Sequence, residues 1–229
     1  MNTNENAPRF TKVSLRTAAI IAGMGLLLMA ILSPIALLNT FPSLVKFDDA
    51  ALTAQNILNS MGAFRTAVLL LFVVALLDVV VAWGLYIVLM PANKNLSALA
   101  AWLRVIYAGI FIFAISKLFV AMQVLTTDGV QAMSFLKAFQ NIFDKGLILF
   151  GFHLLVLGYL AFKSGYVPKW LGTFLVLAGL GYIVDGFGTM FSPAYNLSIS
   201  QFTFIGEVLL IFWLLWRGFK GFENSPPSK

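Results

Sequence analysis

This sequence predicts an all-α, polytopic bundle of six membrane-crossing helices, and three observations carry that expectation. Hydrophobic residues make up 60% of the chain and charged residues only 10%, where soluble domains approach roughly a quarter charged. Apolar windows long enough to cross about 30 Å of hydrocarbon recur six times. Basic residues gather at alternate helix ends, as the positive-inside rule requires. Mean hydropathy is +0.92.

The windows run from about 17–38, 63–90, 96–125, 145–162, 167–191 and 201–219, and together they read as a single transmembrane domain over 1–229. The first follows Arg9, Lys12 and Arg16 and so resembles a secretion signal. It exceeds the roughly 7–15 residues of a signal core and shows no clear small-residue cleavage site, so it reads as a retained helix. The second and third are longer than a bilayer requires and should tilt or project. Between the first two, Asp48-Asp49 precedes Ala-Ala-Leu-Thr-Ala-Gln-Asn-Ile-Leu, an N-cap opening an amphipathic helix on the surface or continuous with the second span. A further amphipathic segment is expected between Thr126 and Asp144, with Val130, Met133, Phe135, Leu136 and Phe139 as its apolar members. The connections Pro91–Asn95 and Lys163–Pro168 are short, making their flanking helices antiparallel neighbours.

Charge sets the expected orientation. With the N-terminus cytoplasmic, that side collects Arg9, Lys12, Arg16, Lys94, Lys163, Lys169, Arg217, Lys220 and Lys229, against Lys46, Lys137 and Lys145 opposite. Trp102, Trp170 and Trp216 fall near the same ends, as an interfacial belt does. Both termini are therefore expected inside. The basic residues form no stripe or dense run, so nucleic acid is not an expected partner.

Composition also limits the chemistry. There is no Cys and one His, which removes disulfides, thiolate sites and paired-histidine metal or haem sites within one chain. Neither a metal nor another cofactor is expected. Ser116 and Ser164 have no base at a recognisable spacing, and no glycine-rich phosphate loop is present.

Ionisable residues inside the apolar windows are the informative ones: Arg65, Asp78, Arg104, Lys117, His153, Asp185 and Glu207. Each costs about 2.5–3.5 kcal/mol at a helix centre and must find a partner or water. At 1.5 Å per residue, Asp78 and Arg104 reach similar depths on either side of a tight turn and form a candidate structural pair. Lys117, Asp185 and Glu207 lie in the outer half with His153 nearer the midplane, a group able to load and release a proton or cation. Arg65 is close enough to the boundary to extend into the headgroups. Ala178, Gly181, Asp185 and Gly188 share a helix face, placing Asp185 against protein. Three readings of function follow. The first is a small-molecule or proton/cation-linked carrier using buried acids and His153. The second is a non-catalytic sensor or assembly module whose charges only fix packing, and the third an intramembrane lipid-modifying enzyme. Partners expected are the bilayer, a small-molecule or ion ligand, and a homo-oligomer.

Phe150-Gly-Phe-His-Leu-Leu-Val-Leu-Gly-Tyr-Leu160, Ser164-Gly-Tyr-Val-Pro168, Leu171-Gly172 and Leu177-Ala-Gly-Leu-Gly-Tyr-Ile-Val-Asp185 resemble the signature of domain-of-unknown-function family 4386. Asp78 before Ala82-Trp-Gly-Leu-Tyr86, Ala100-Ala-Trp-Leu-Arg-Val-Ile-Tyr107, and Gly206-Glu207 with Trp213-Leu-Leu-Trp-Arg-Gly218 fit the rest of its pattern. The resemblance implies a six-helix protein of the bacterial cytoplasmic membrane and brings no activity. It marks Asp78, Arg104, His153, Asp185 and Glu207 as shared positions.

Overall fold

A computed structural model describes residues 13–192 and 194–222. Arg9, Lys12 and Lys229, counted in the charge asymmetry, lie outside the described residues. Helix α1 (Leu15–Pro34) opens on Ser14, whose Oγ accepts from the Thr17 N–H at 3.1 Å. Pro34 has no N–H and its ring crowds the preceding turn; the chain widens there into a π turn over Ile35–Thr40 before the short α2 (Phe41–Leu44). Asp49 caps α3 (Ala50–Asn59), its Oδ1 accepting from Leu52 N at 2.9 Å. α3 is separated from α4 (Met61–Leu89) by the non-helical Ser60.

Asn93 caps α5 (Lys94–Val124) and Asp128 caps α6 (Gly129–Ser164), each accepting a backbone N–H three residues on. α6 ends at Gly165, whose φ of +73° is a left-handed C-terminal stop that favours glycine. α7 (Lys169–Phe191) follows Pro168, and a loop leads to α8 (Ser200–Thr203) and α9 (Ile205–Lys220). Six stretches are long and apolar enough to cross a membrane.

The fourth span begins earlier than the sequence predicts. In place of a separate surface segment and a helix from Lys145, α6 is continuous for 36 residues, about 54 Å at helical rise. Polar residues at Asn141, Asp144 and Lys145 read as a break, but no proline interrupts them. The buried stripe Leu136, Phe139, Gly146, Phe150, His153 and Leu157 runs through at helical spacing. Val130, expected on the apolar face, is 70% exposed.

The six long helices close into a ring in which α1 packs on α4, α4 on α5, α5 on α6, α6 on α7, α7 on α9 and α9 back on α1. Arg16 Nε donates to Gly218 O at 2.9 Å, tying the start of α1 to the end of α9 and placing both on one face, here the terminal side. The opposite face is the distal side. Lipid tails give helices no hydrophobic reason to associate, so close packing must hold them. Between α6 and α7 that packing is glycine on glycine: a Cβ on Gly151 would lie 2.7 Å from Gly179 O, and one on Gly158 would lie 2.8 Å from Gly172 O. On the terminal side, Ser97 Oγ donates to Tyr86 O at 2.8 Å and the Tyr166 hydroxyl to Val88 O at 2.6 Å, locking both short turns onto α4. Burial pushes the Tyr166 phenol above its ordinary range. Trp102, Trp170 and Trp216 are all exposed, as a belt at this face requires.

Any side chain at Gly179 must separate α6 from α7. Gly179→Val is expected to lower stability by about 1–3 kcal/mol in detergent thermal unfolding. Gly109→Ala, with nothing within 4 Å of its Cβ position, should leave the transition nearly unchanged.

Candidate functional site

Every helix of the ring contributes to a polar cluster at its centre. Asp78 on α4 and Arg104 on α5, each 1% exposed, meet at 2.7 Å between Oδ1 and Nη2. The contact is an ion pair by distance, although its angles are poor for a hydrogen bond. α6 brings His153, fully buried, with Nε2 3.3 Å from Arg104 Nη1 and Nδ1 2.8 Å from Ala100 O. A carbonyl only accepts and a guanidinium only donates, so Nδ1 carries the proton and Nε2 accepts: His153 is a neutral imidazole. The Phe150 ring lies 5.2 Å from the guanidinium carbon, and Met29 Sδ of α1 lies 3.9 Å from Nη2. Asp78 Oδ2 and Arg104 Nε have no hydrogen-bond partner among the described residues.

The remaining helices add an acid and a phenol. Glu207, half-buried in the first turn of α9, accepts from the Tyr182 hydroxyl of α7 at 2.8 Å. The first turn is the positive end of the helix dipole, which favours a carboxylate there. The Tyr182 ring stands edge-on to Phe150, centroids 5.5 Å apart, so the two parts of the cluster share one aromatic partition.

Tyr182 also lines a cavity of about 540 Å³ on the distal side, bounded by the π turn after α1 with α2, by α6 and α7, and by the segment around α8. Its polar wall includes Gln140, Asp144, Asp185 and Ser200, and its apolar wall includes Leu37, Phe41 and Phe47.

The outer group expected from depth is not one cluster. His153 lies with Asp78 and Arg104. Lys117 extends over the Phe113 ring of its own helix at 4.3 Å and pairs with no carboxylate among the described residues. It shares the side of α5 that carries the exposed Phe113, away from the buried stripe, and depth alone could not reveal that azimuth. Arg65 is exposed near the distal end of α4. Asp185 faces protein and is saturated: Oδ1 accepts from the Tyr195 hydroxyl at 2.6 Å and Ile199 N at 3.0 Å, and Oδ2 from Ser200 N at 2.7 Å and Oγ at 2.6 Å. It anchors the loop that closes the cavity. Gly181 and Gly188 on the same face admit Thr203 and Tyr195. Gln140, Asp144 and Tyr182 join the site without a depth signal in the sequence; the trace they leave is spacing, Tyr182 three residues before Asp185 on α7 and Gln140 four before Asp144 on α6. Among the described residues no three His, Asp or Glu side chains converge as metal ligands.

Asp78→Asn leaves the buried Arg104 charge uncompensated and should destabilise by about 3 kcal/mol; adding Arg104→Gln should recover most of that loss, whereas strict additivity in detergent unfolding would contradict the pairing. The bond to Asp185 pushes the Tyr195 phenol from 10.0 up to about 12. The stabilisation it gives is complete below pH 10 and is lost as pH rises through 12. Asp185→Asn should lower the ultraviolet titration midpoint of Tyr195 towards 10 and speed amide exchange across residues 192–203, and an unchanged exchange pattern would contradict the anchoring role.

Comparison with known proteins bears on lineage. The model of a family described as "Domain of unknown function (DUF4386)" matches residues 21–218. An "uncharacterized protein" of Archaeoglobus fulgidus is 43% identical over 150 residues, covering 66% of this chain and 82% of that protein. This relative is archaeal, so the bacterial restriction expected from the resemblance does not hold for the family. No solved structure matches the chain. Asp78, Arg104, His153, Tyr182 and Glu207 all fall within the matched residues, and this chain, with six helices long and apolar enough to cross a membrane, belongs to the DUF4386 family.

Proposed function

We propose that this protein is a proton- or cation-linked carrier of a small molecule, acting in the cytoplasmic membrane of a prokaryotic cell with both termini inside. One observation carries the reading. Tyr182 at once lines the distal cavity, donates to Glu207 at 2.8 Å and packs edge-on against Phe150, whose ring lies 5.2 Å from the Arg104 guanidinium carbon. An occupant of the cavity therefore lies one hydrogen bond from a half-buried carboxylate in the membrane. Such carboxylates belong to proton and ion relays more often than to inert packing. Glu207 is the group assigned to the coupling, and Tyr182 the group that reports cavity occupancy to it. Lys163, Lys169, Arg217 and Lys220 at the terminal side supply the positive-inside signal for the orientation.

A second reading, a module whose charges only fix packing, draws on the enclosure of Asp78 and Arg104 and the saturation of Asp185. Purified chain reconstituted in vesicles loaded with a pH-sensitive dye separates the two. With a panel of small cations and neutral solutes added outside, at least one solute should drive proton movement in the wild type and none should do so in Glu207→Gln. Identical traces for both proteins and protein-free vesicles across the panel would favour the packing module.

A further inference from the structure

We infer that the distal cavity binds an ammonium group carried on an apolar body, with Asp144 as its counter-ion. The inference rests on the carrier reading for its role and names the substrate class of that site. A volume of about 540 Å³ lies in the range of small-molecule pockets. Its two walls differ in chemistry. Leu37, Phe41 and Phe47 line one side, and the other presents Asp144, Gln140 and Ser200. A purely polar solute would leave the aromatic and leucine surface wet, while a hydrocarbon would strip water from the acid opposite.

The sign of the charge follows from which groups remain free. Neither Lys nor Arg lines the cavity, whereas two carboxylates do. Asp185 is fully committed to the Tyr195, Ile199 and Ser200 donors. Asp144 is not. Its Oδ1 accepts from Gln140 Nε2 at 2.8 Å, and Oδ2 accepts nothing among the described residues. Two ammonium groups stand at the cavity edge, each already engaged: Lys145 donates to Thr189 Oγ1 at 2.5 Å and Lys46 to Pro42 O at 2.6 Å. Neither pairs with Asp144, and the ion pair between Asp78 and Arg104 is the one found among the described residues. An ammonium against Asp144 Oδ2 makes a charge-assisted hydrogen bond, and its apolar body lies along Leu37 and Phe41. Two sources supply that chemistry, a free organic amine and an aminophospholipid entering from the bilayer.

The test uses full-length protein in nanodiscs of phosphatidylglycerol, with radiolabelled 4-phenylbutylammonium and the neutral 4-phenylbutanol as probes in equilibrium dialysis. The ammonium should bind about tenfold more tightly than the alcohol. Asp144→Asn should bring it to the affinity of the alcohol. Leu197→Trp, at an exposed position on the cavity rim, should weaken both probes. Equal affinities in the wild type, or ammonium binding unmoved by both variants, would overturn the inference. Repeating the titration in nanodiscs containing phosphatidylethanolamine separates the sources: a weakened ammonium probe assigns the site to the lipid amine, and an unchanged one to a free amine. Glu207→Gln should retain binding, so binding without proton movement in the wild type would refute the carrier reading and leave this inference standing.

Discussion

The contact between Asp78 and Arg104, 2.7 Å across the α4–α5 interface, is the constraint from which the rest of the bundle follows. Neither charge can face hydrocarbon, so α4 and α5 must turn these positions inward. α6 must then present a group that accepts from a guanidinium and leaves no further charge. His153 meets both conditions while its other nitrogen is held by Ala100 O. The ring closes around this centre, with glycine contacts between α6 and α7 setting the backbone distance at which Tyr182 packs against Phe150. A buried ion pair is weak evidence of net stability. Its effect here is on register, because sliding or rotating any of three helices leaves a charge unpartnered.

Much of this was legible in the chain because two quantities leave strong traces in sequence. Apolar length gives the spans, and a charge within a span gives a depth. Depth with the tight Pro91–Asn95 turn sufficed to bring Asp78 to Arg104. It failed for His153, Lys117, Asp185 and Glu207, because their neighbours are set by azimuth and by which helices adjoin in the ring. Lys117 lies thirteen residues beyond Arg104 along α5 towards the distal side, on the face that carries the exposed Phe113, whereas Glu207 is held by Tyr182 of α7. The start of α6 is hidden for a related reason. Asn141, Asp144 and Lys145 look like the edge of a span in composition, while the buried stripe from Leu136 to His153 carries the helix through.

The carboxylates illustrate how one residue type divides into roles. Asp78 balances a charge, Asp185 gathers four donors and fixes a loop, Glu207 binds a phenol at a helix start, and Asp144 keeps an oxygen free at a cavity. Sequence ranks these acids by depth; the structure ranks them by the hydrogen bonds already made. In the proposed carrier, Asp144, the acid with spare capacity beside an amphipathic cavity, is assigned to the ligand, and Glu207, reached through Tyr182, to the coupling.

The most direct measurement of the central arrangement exploits the chain's single histidine. With ¹⁵N-histidine labelling, every imidazole signal belongs to His153. The account predicts a neutral ring at pH 7 protonated on Nδ1, with Nε2 unprotonated and its signal shifted when Arg104→Gln removes the donor. An imidazolium spectrum, the Nε2-protonated tautomer, or indifference to that substitution would contradict it.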